Sequence, residues 1–145
     1  MVARTTLGRL ILTFVGVTLP LGAFIADFNE THIYNPRWPP HAKFHNGQTM
    51  SMGLCLGLAC VYYTWRDSTA DSAITAMVFG SLYYVTGLAA WFFPGTLPMD
   101  PEFGEGFPQL KIFGTGILLA WAGCALEVFR VRSEEKGAGG KKKVK

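Results

Sequence analysis

The sequence predicts an all-α protein: a bundle of four transmembrane helices with a polar loop, rich in His, Asp and Glu, at its lumenal end. Three observations carry that expectation. Half of the 145 residues are hydrophobic and only 16% are charged, a low share for a soluble chain. The apolar residues come in blocks: Leu10–Ala26, Gly47–Trp65, Ser72–Pro94 and Ile112–Leu126 each lack any charge. Between the first two blocks, Asp27–Gly47 gathers all three histidines, His32, His41 and His45, with Asp27, Asn29, Glu30, Asn35, Arg37 and Lys43.

A hydrocarbon core of about 30 Å needs roughly 20 mostly apolar residues per helix. The first helix is placed near Leu7–Asp27. Its apolar run is longer than the h-region of a signal peptide, and Phe24-Ile25-Ala26 is a poor small-x-small cleavage site, so it reads as retained. Pro20 interrupts it and removes one backbone hydrogen bond. The second helix, near His41–Trp65, is rich in small residues, and Gly53 and Gly57 form a GxxxG spacing. That spacing allows close backbone approach, and packing within the chain explains it better than dimerisation.

The third helix is placed near Asp71–Phe93. Tyr83 and Tyr84 fall at its middle, and at least one should turn its hydroxyl into the bundle. The fourth helix is placed near Leu110–Arg130 and reaches spanning length only as Leu110–Phe129, with Lys111 and Glu127 at the two interfaces, where Lys111 can snorkel and Glu127 can reach headgroups. Trp65 and Trp91 fit an aromatic belt. Cys55, Cys60 and Cys124 all lie inside helices, an odd set that does not suggest a disulfide framework. A soluble bundle is the alternative, but four uncharged runs of this length would give it an unusually oily surface.

With four spans, both termini share one side. That side holds every basic residue except Arg37, Lys43 and Lys111, so the positive-inside rule puts the termini in the cytosol. The histidine loop and the Pro94–Gln109 loop then meet on the lumenal side. The domain reading is a membrane domain over 1–132 and a disordered basic cytosolic tail over 133–145. Lys142 and Lys143, fourth and third from the C-terminus, fit a dilysine signal for the endoplasmic reticulum. A plain basic tail binding anionic headgroups is the other reading. Asn29-Glu30-Thr31 matches the glycosylation pattern but lies too near the bilayer for easy modification.

Pro36, Pro39 and Pro40 stiffen the polar loop, and Pro40 suits the first position of the second helix. His41, His45, Gln48 and Met52 would then share one helical face. Three chemistries are open. His41 and His45 have the i, i+4 spacing of two metal ligands, with His32, Asp27 or Glu30 as a third. Lys43 disfavours a cation there, and the HExxH glutamate is missing. Alternatively, a carboxylate and a histidine beside an apolar cavity can do acid–base work without a cofactor, since desolvation keeps a carboxyl protonated. The third reading is structural: Arg37 pairs with Asp27 or Glu30, Trp38 anchors at the interface, and the histidines cap backbone groups. There is no GxSxG, P-loop, dinucleotide fingerprint or CxxC, and no surface of the kind that binds nucleic acid.

The string Ala26-Asp27-Phe28-Asn29-Glu30-Thr31-His32-Ile33-Tyr34-Asn35-Pro36-Arg37-Trp38-Pro39-Pro40-His41-Ala42-Lys43-Phe44-His45 resembles the hallmark of a family of small four-helix fungal integral membrane proteins of unknown function. Some of these accompany secondary-metabolite pathways. The likeness covers most of the chain and implies fungal origin and membrane residence.

The expected function is a cofactor-independent membrane enzyme of secondary metabolism. It would open or rearrange a lipophilic epoxide or polyene intermediate of polyketide or terpenoid type. The expected site is Asp27 or Glu30 as acid and His41 or His45 as base, with His32 the next candidate and Arg37 pairing one carboxylate. No cofactor or metal is expected. The partners are the bilayer, a lipophilic small molecule and pathway enzymes. The rival is a non-catalytic accessory or scaffold of the endoplasmic reticulum membrane.

Overall fold

A computed structural model describes residues 4–142. It contains four long helices: α1 (Leu7–Asp27), α2 (Pro40–Arg66), α3 (Ala70–Ala89) and α4 (Pro108–Lys142). Local chemistry sets their ends. Thr6 caps α1 by accepting from the Arg9 amide at 3.3 Å. Pro40 opens α2, where a missing N–H costs nothing. Thr69 caps α3 by accepting from the Ser72 amide at 3.1 Å, and a 3-10 turn over Ala90–Phe92 carries that helix to its end. The long connection to α4 turns at Gly95, Gly104 and Gly106, all at positive φ that other residues rarely adopt.

The helices stand in a ring. α1 packs on α2 and α4, α3 packs on α2 and α4, and α1 meets α3 across the middle. Small residues fill the helix contacts. A Cβ added at Gly57 would come within 2.7 Å of the Pro20 ring, and one at Gly8 within 2.9 Å of Glu127 Cγ. The ring that interrupts α1 is thus received in a notch on α2, and Gly57 serves packing within the chain. Val15, Leu19, Tyr84 and Ala120 form the centre, with Phe113 and Ile117 against them. Tyr84 is the buried member of the tyrosine pair.

Large apolar side chains point the other way. Leu10, Phe14, Val17 and Leu21 on α1 are exposed, as are Val78, Leu82 and Val85 on α3 and Leu118, Trp121, Leu126 and Phe129 on α4. A surface of this kind is suited to hydrocarbon. Three helices are long and apolar enough to cross a membrane: α1, α3 extended through Phe92, and α4. α2 is long enough, but His41, Lys43, His45, Asn46, Gln48 and Thr49 dilute its first turns.

Two differences from expectation concern α4 and Trp65. α4 continues through Ser133–Lys142, where composition suggested disorder. A helix already nucleated in an apolar segment propagates cheaply, and Arg130 supports the extension by donating to Glu134 at 2.8 Å one turn on. Lys143 of the dilysine pair lies outside the described residues, as does the end of the tail. Trp65 does not stand free as a belt residue: its Nε1 donates to Thr13 Oγ1 at 2.8 Å and its ring lies 5.5 Å from the Arg9 guanidinium.

Candidate functional site

At the end of the bundle carrying the α1–α2 and α3–α4 connections, α1 stops at Asp27 and the chain makes a tight turn. Asn29 closes the helix, its amide donating to the Ile25 and Ala26 carbonyls at 3.0 and 2.8 Å. Its Oδ1 accepts from the Thr31 amide at 2.8 Å. This turn delivers His32 back over the end of α1, with Nε2 3.8 Å from Asp27 Oδ1. The other ring nitrogen, Nδ1, lies 2.6 Å from Thr31 Oγ1. Asp27 Oδ2 accepts from Asn46 Nδ2 on α2 at 2.8 Å. Asn46 Oδ1, at the far side of that amide, is buried without a hydrogen-bond partner.

The result is a line of polar groups: a hydroxyl, an imidazole, a carboxylate and an amide with one acceptor unmet. The imidazole stands between an O–H group and a carboxylate, so it can gain a proton at one nitrogen while the other is held. Asp27 sits at a helix C-terminus, where the backbone carbonyls repel an anion, which makes the Asn46 amide and His32 its main local support.

The other expected residues are distributed differently. His41 and His45 meet each other on α2, Nε2 to Nε2 at 3.1 Å, and His45 Nδ1 is 3.3 Å from Gln48 Oε1. Glu30 is exposed and forms no ion pair among the described residues. The expected pairing of Arg37 with Asp27 or Glu30 is not found: Arg37 pairs with Glu102 in the α3–α4 connection. Pro36 and the Asn35 turn carry Arg37 away from α1. Asn35, 2% exposed, accepts from the Arg37 amide at 2.9 Å and donates to Glu102 at 3.3 Å. Trp38 Nε1 donates to Asp100 at 3.3 Å, and its ring meets His32 edge-on at 4.8 Å. The two connections are therefore clasped, and between them lies an open cleft of about 480 Å³ lined by Asn35, Arg37, Trp38, Asp100, Pro101 and Glu102.

Among the described residues, no group of three or more His, Cys, Asp or Glu side chains is arranged to hold a metal ion. Asn46, Asp100 and Glu102 were not singled out in the sequence, and Thr31 stood out only as part of the glycosylation pattern. Asn46 had one available signal, an amide beside His45 on the polar start of α2.

A second polar cluster lies at the opposite end of the bundle. Glu127, 3% exposed, accepts from the Thr6 hydroxyl and, at Oε2, from Arg130 Nε and Nη2 at 3.2 and 2.8 Å. Arg9, 2% exposed, has Nε 3.4 Å from the same oxygen, an ion contact without hydrogen-bond alignment. Its Nη2 donates to the Asp67 carbonyl at 2.8 Å. The expectation that Glu127 reaches lipid headgroups is corrected: α1 and the α2–α3 turn enclose it.

A family model described as a family of unknown function (DUF6640) matches residues 11–137. No curated protein and no solved structure matches the chain.

Proposed function

The chain belongs to that family of unknown function, and for it we propose acid–base catalysis on a lipophilic substrate by a small membrane enzyme that uses no cofactor. The observation that supports the reading is the Thr31–His32–Asp27–Asn46 line, with a buried acceptor left unpaired at its end. For an epoxide, a proton on Asp27 passes to the ring oxygen as the carbon–oxygen bond breaks. His32 takes a proton from the attacking water, whose oxygen forms the new bond, and returning that proton to Asp27 restores both groups. An acid or base of this kind contributes about 10²–10⁴-fold in rate.

In this reading α2 is the fourth span, supported by the exposed Leu54, Leu58 and Tyr62 on its second half. The charge bias supports a cytosolic side for both termini, and Lys142 with Lys143 supports residence in the endoplasmic reticulum. The substrate in this reading is a polyketide- or terpenoid-like intermediate of a fungal secondary pathway, a choice that draws on the resemblance of the polar string to a family some of whose members accompany such pathways.

The test is metabolite profiling of a deletion strain complemented with Asp27→Asn or His32→Ala. One unprocessed intermediate should accumulate while protein level and membrane location stay normal. A second reading, a non-catalytic accessory that assembles pathway enzymes, draws on the clasp of Arg37 with Glu102 and Trp38 with Asp100. It predicts that all products fall together and that Asp27→Asn changes nothing.

A further inference from the structure

We propose that His41 and His45 form a two-histidine chelate for a divalent transition-metal ion of the zinc or copper type, separate from the Asp27–His32 line. The pair lies in the first two turns of α2, both side chains exposed, with the two Nε2 atoms 3.1 Å apart. Two imidazoles that merely share a helix face need not bring the same nitrogen together, and these do.

Gln48 supplies the supporting contact. Its Oε1 is an acceptor only, so at 3.3 Å it fixes the proton of neutral His45 on Nδ1. That leaves the Nε2 lone pair of His45 facing His41. A metal-binding histidine is commonly held by such a hydrogen bond on its far nitrogen. The Phe44 ring lies parallel to His41, with centroids 6.3 Å apart, and borders the pair on its apolar side.

The spacing suits an ion. With metal–nitrogen bonds of about 2.05 Å, two donors 3.1 Å apart subtend roughly 98° at the metal. That value lies between the right angle of square or octahedral sites and the tetrahedral angle. For the ion to enter, neutral His41 moves its proton from Nε2 to Nδ1, and the two rings turn so that both Nε2 lone pairs meet on the ion. Water completes the shell, because no third protein ligand stands near among the described residues. Two features oppose the ion, the positive N-terminal end of α2 and the ammonium of Lys43. Each acts through solvent and is small beside two coordinate bonds.

The test uses the whole chain, purified in detergent without a histidine tag and titrated with zinc by calorimetry. Copper(II) electron paramagnetic resonance reads the ligands. One ion should bind per chain, with splitting from two imidazole nitrogens. His41→Ala and His45→Ala should each weaken binding at least about tenfold, and Gln48→Ala should weaken it several-fold. His32→Ala and Asp27→Asn should leave it unchanged. Absence of binding, or binding indifferent to both His41→Ala and His45→Ala, overturns the proposal. So does binding lost with His32→Ala, which would put the ion on the other cluster. Loss of turnover in Asp27→Asn is a different readout, so either idea can fail alone.

Discussion

Exchanging Glu127 for Gln keeps the shape of the side chain and removes its charge, and it isolates what the buried cluster contributes. Glu127 faces the Thr6 hydroxyl and two guanidinium groups, and it is 3% exposed. After the exchange Arg9, itself 2% exposed, has only the Asp67 and Arg4 carbonyls at 2.8 and 3.4 Å and the face of Trp65. Stranding one charge of a buried pair costs about 3–5 kcal/mol. The lower end applies, because Arg130 keeps Glu134 and Thr6 keeps an oxygen to donate to. A loss of about 3 kcal/mol shifts the unfolding equilibrium roughly a hundredfold. Denaturant unfolding of the purified protein in detergent, followed by circular dichroism, measures it. The double variant Arg9→Met with Glu127→Leu should lie closer to wild type than Glu127→Gln, since it leaves neither of these two charges buried. If Glu127→Gln costs less than about 1 kcal/mol, water reaches the cluster and the burial argument fails.

Gly57→Leu should destabilise by about 1–3 kcal/mol through collision with the Pro20 ring, whereas Gly47→Ala, with open space around it, should be neutral or gain up to about 1 kcal/mol; thermal melting in detergent compares them. Arg37→Ala should cost under about 1 kcal/mol, because the Arg37 side chain is 68% exposed, yet it should speed limited proteolysis between Pro94 and Phe107 by loosening the clasp. Asp67→Asn should leave stability and activity unchanged, since Arg9 binds the Asp67 carbonyl rather than its carboxylate, and a clear loss in unfolding measurements would show that the side chain matters.

The helices were legible because their signals are local. Pro40 marks one start by its own chemistry, and the uncharged runs show where apolar backbone must lie; the Thr6 cap of α1 shows only in the fold. The end of α4 was not legible, because a helix inherits its nucleus from residues far upstream of Gly137. Charge pairing was the least legible. Asp27 and Glu30 lie nearest to Arg37 in sequence, but the Asn35 turn hands Arg37 to Glu102. Glu127 looked like an interface residue because its neighbours are apolar, and nothing near it points to Arg9. The candidate site was half visible. The polar string named Asp27 and His32, but only the fold shows that the chain turns His32 back onto Asp27 and that Asn46 arrives from α2.

The cluster around Glu127 also sets the order in which the protein can be finished. Thr6 and Glu127 lie 121 residues apart. At about 5–20 residues per second, roughly 6–24 s of synthesis separate them. Throughout that interval Arg9 lacks the carboxylate it pairs with in the folded chain. A chain truncated before Glu127 would leave Arg9 without that partner, so this contact can form only once α4 has been made.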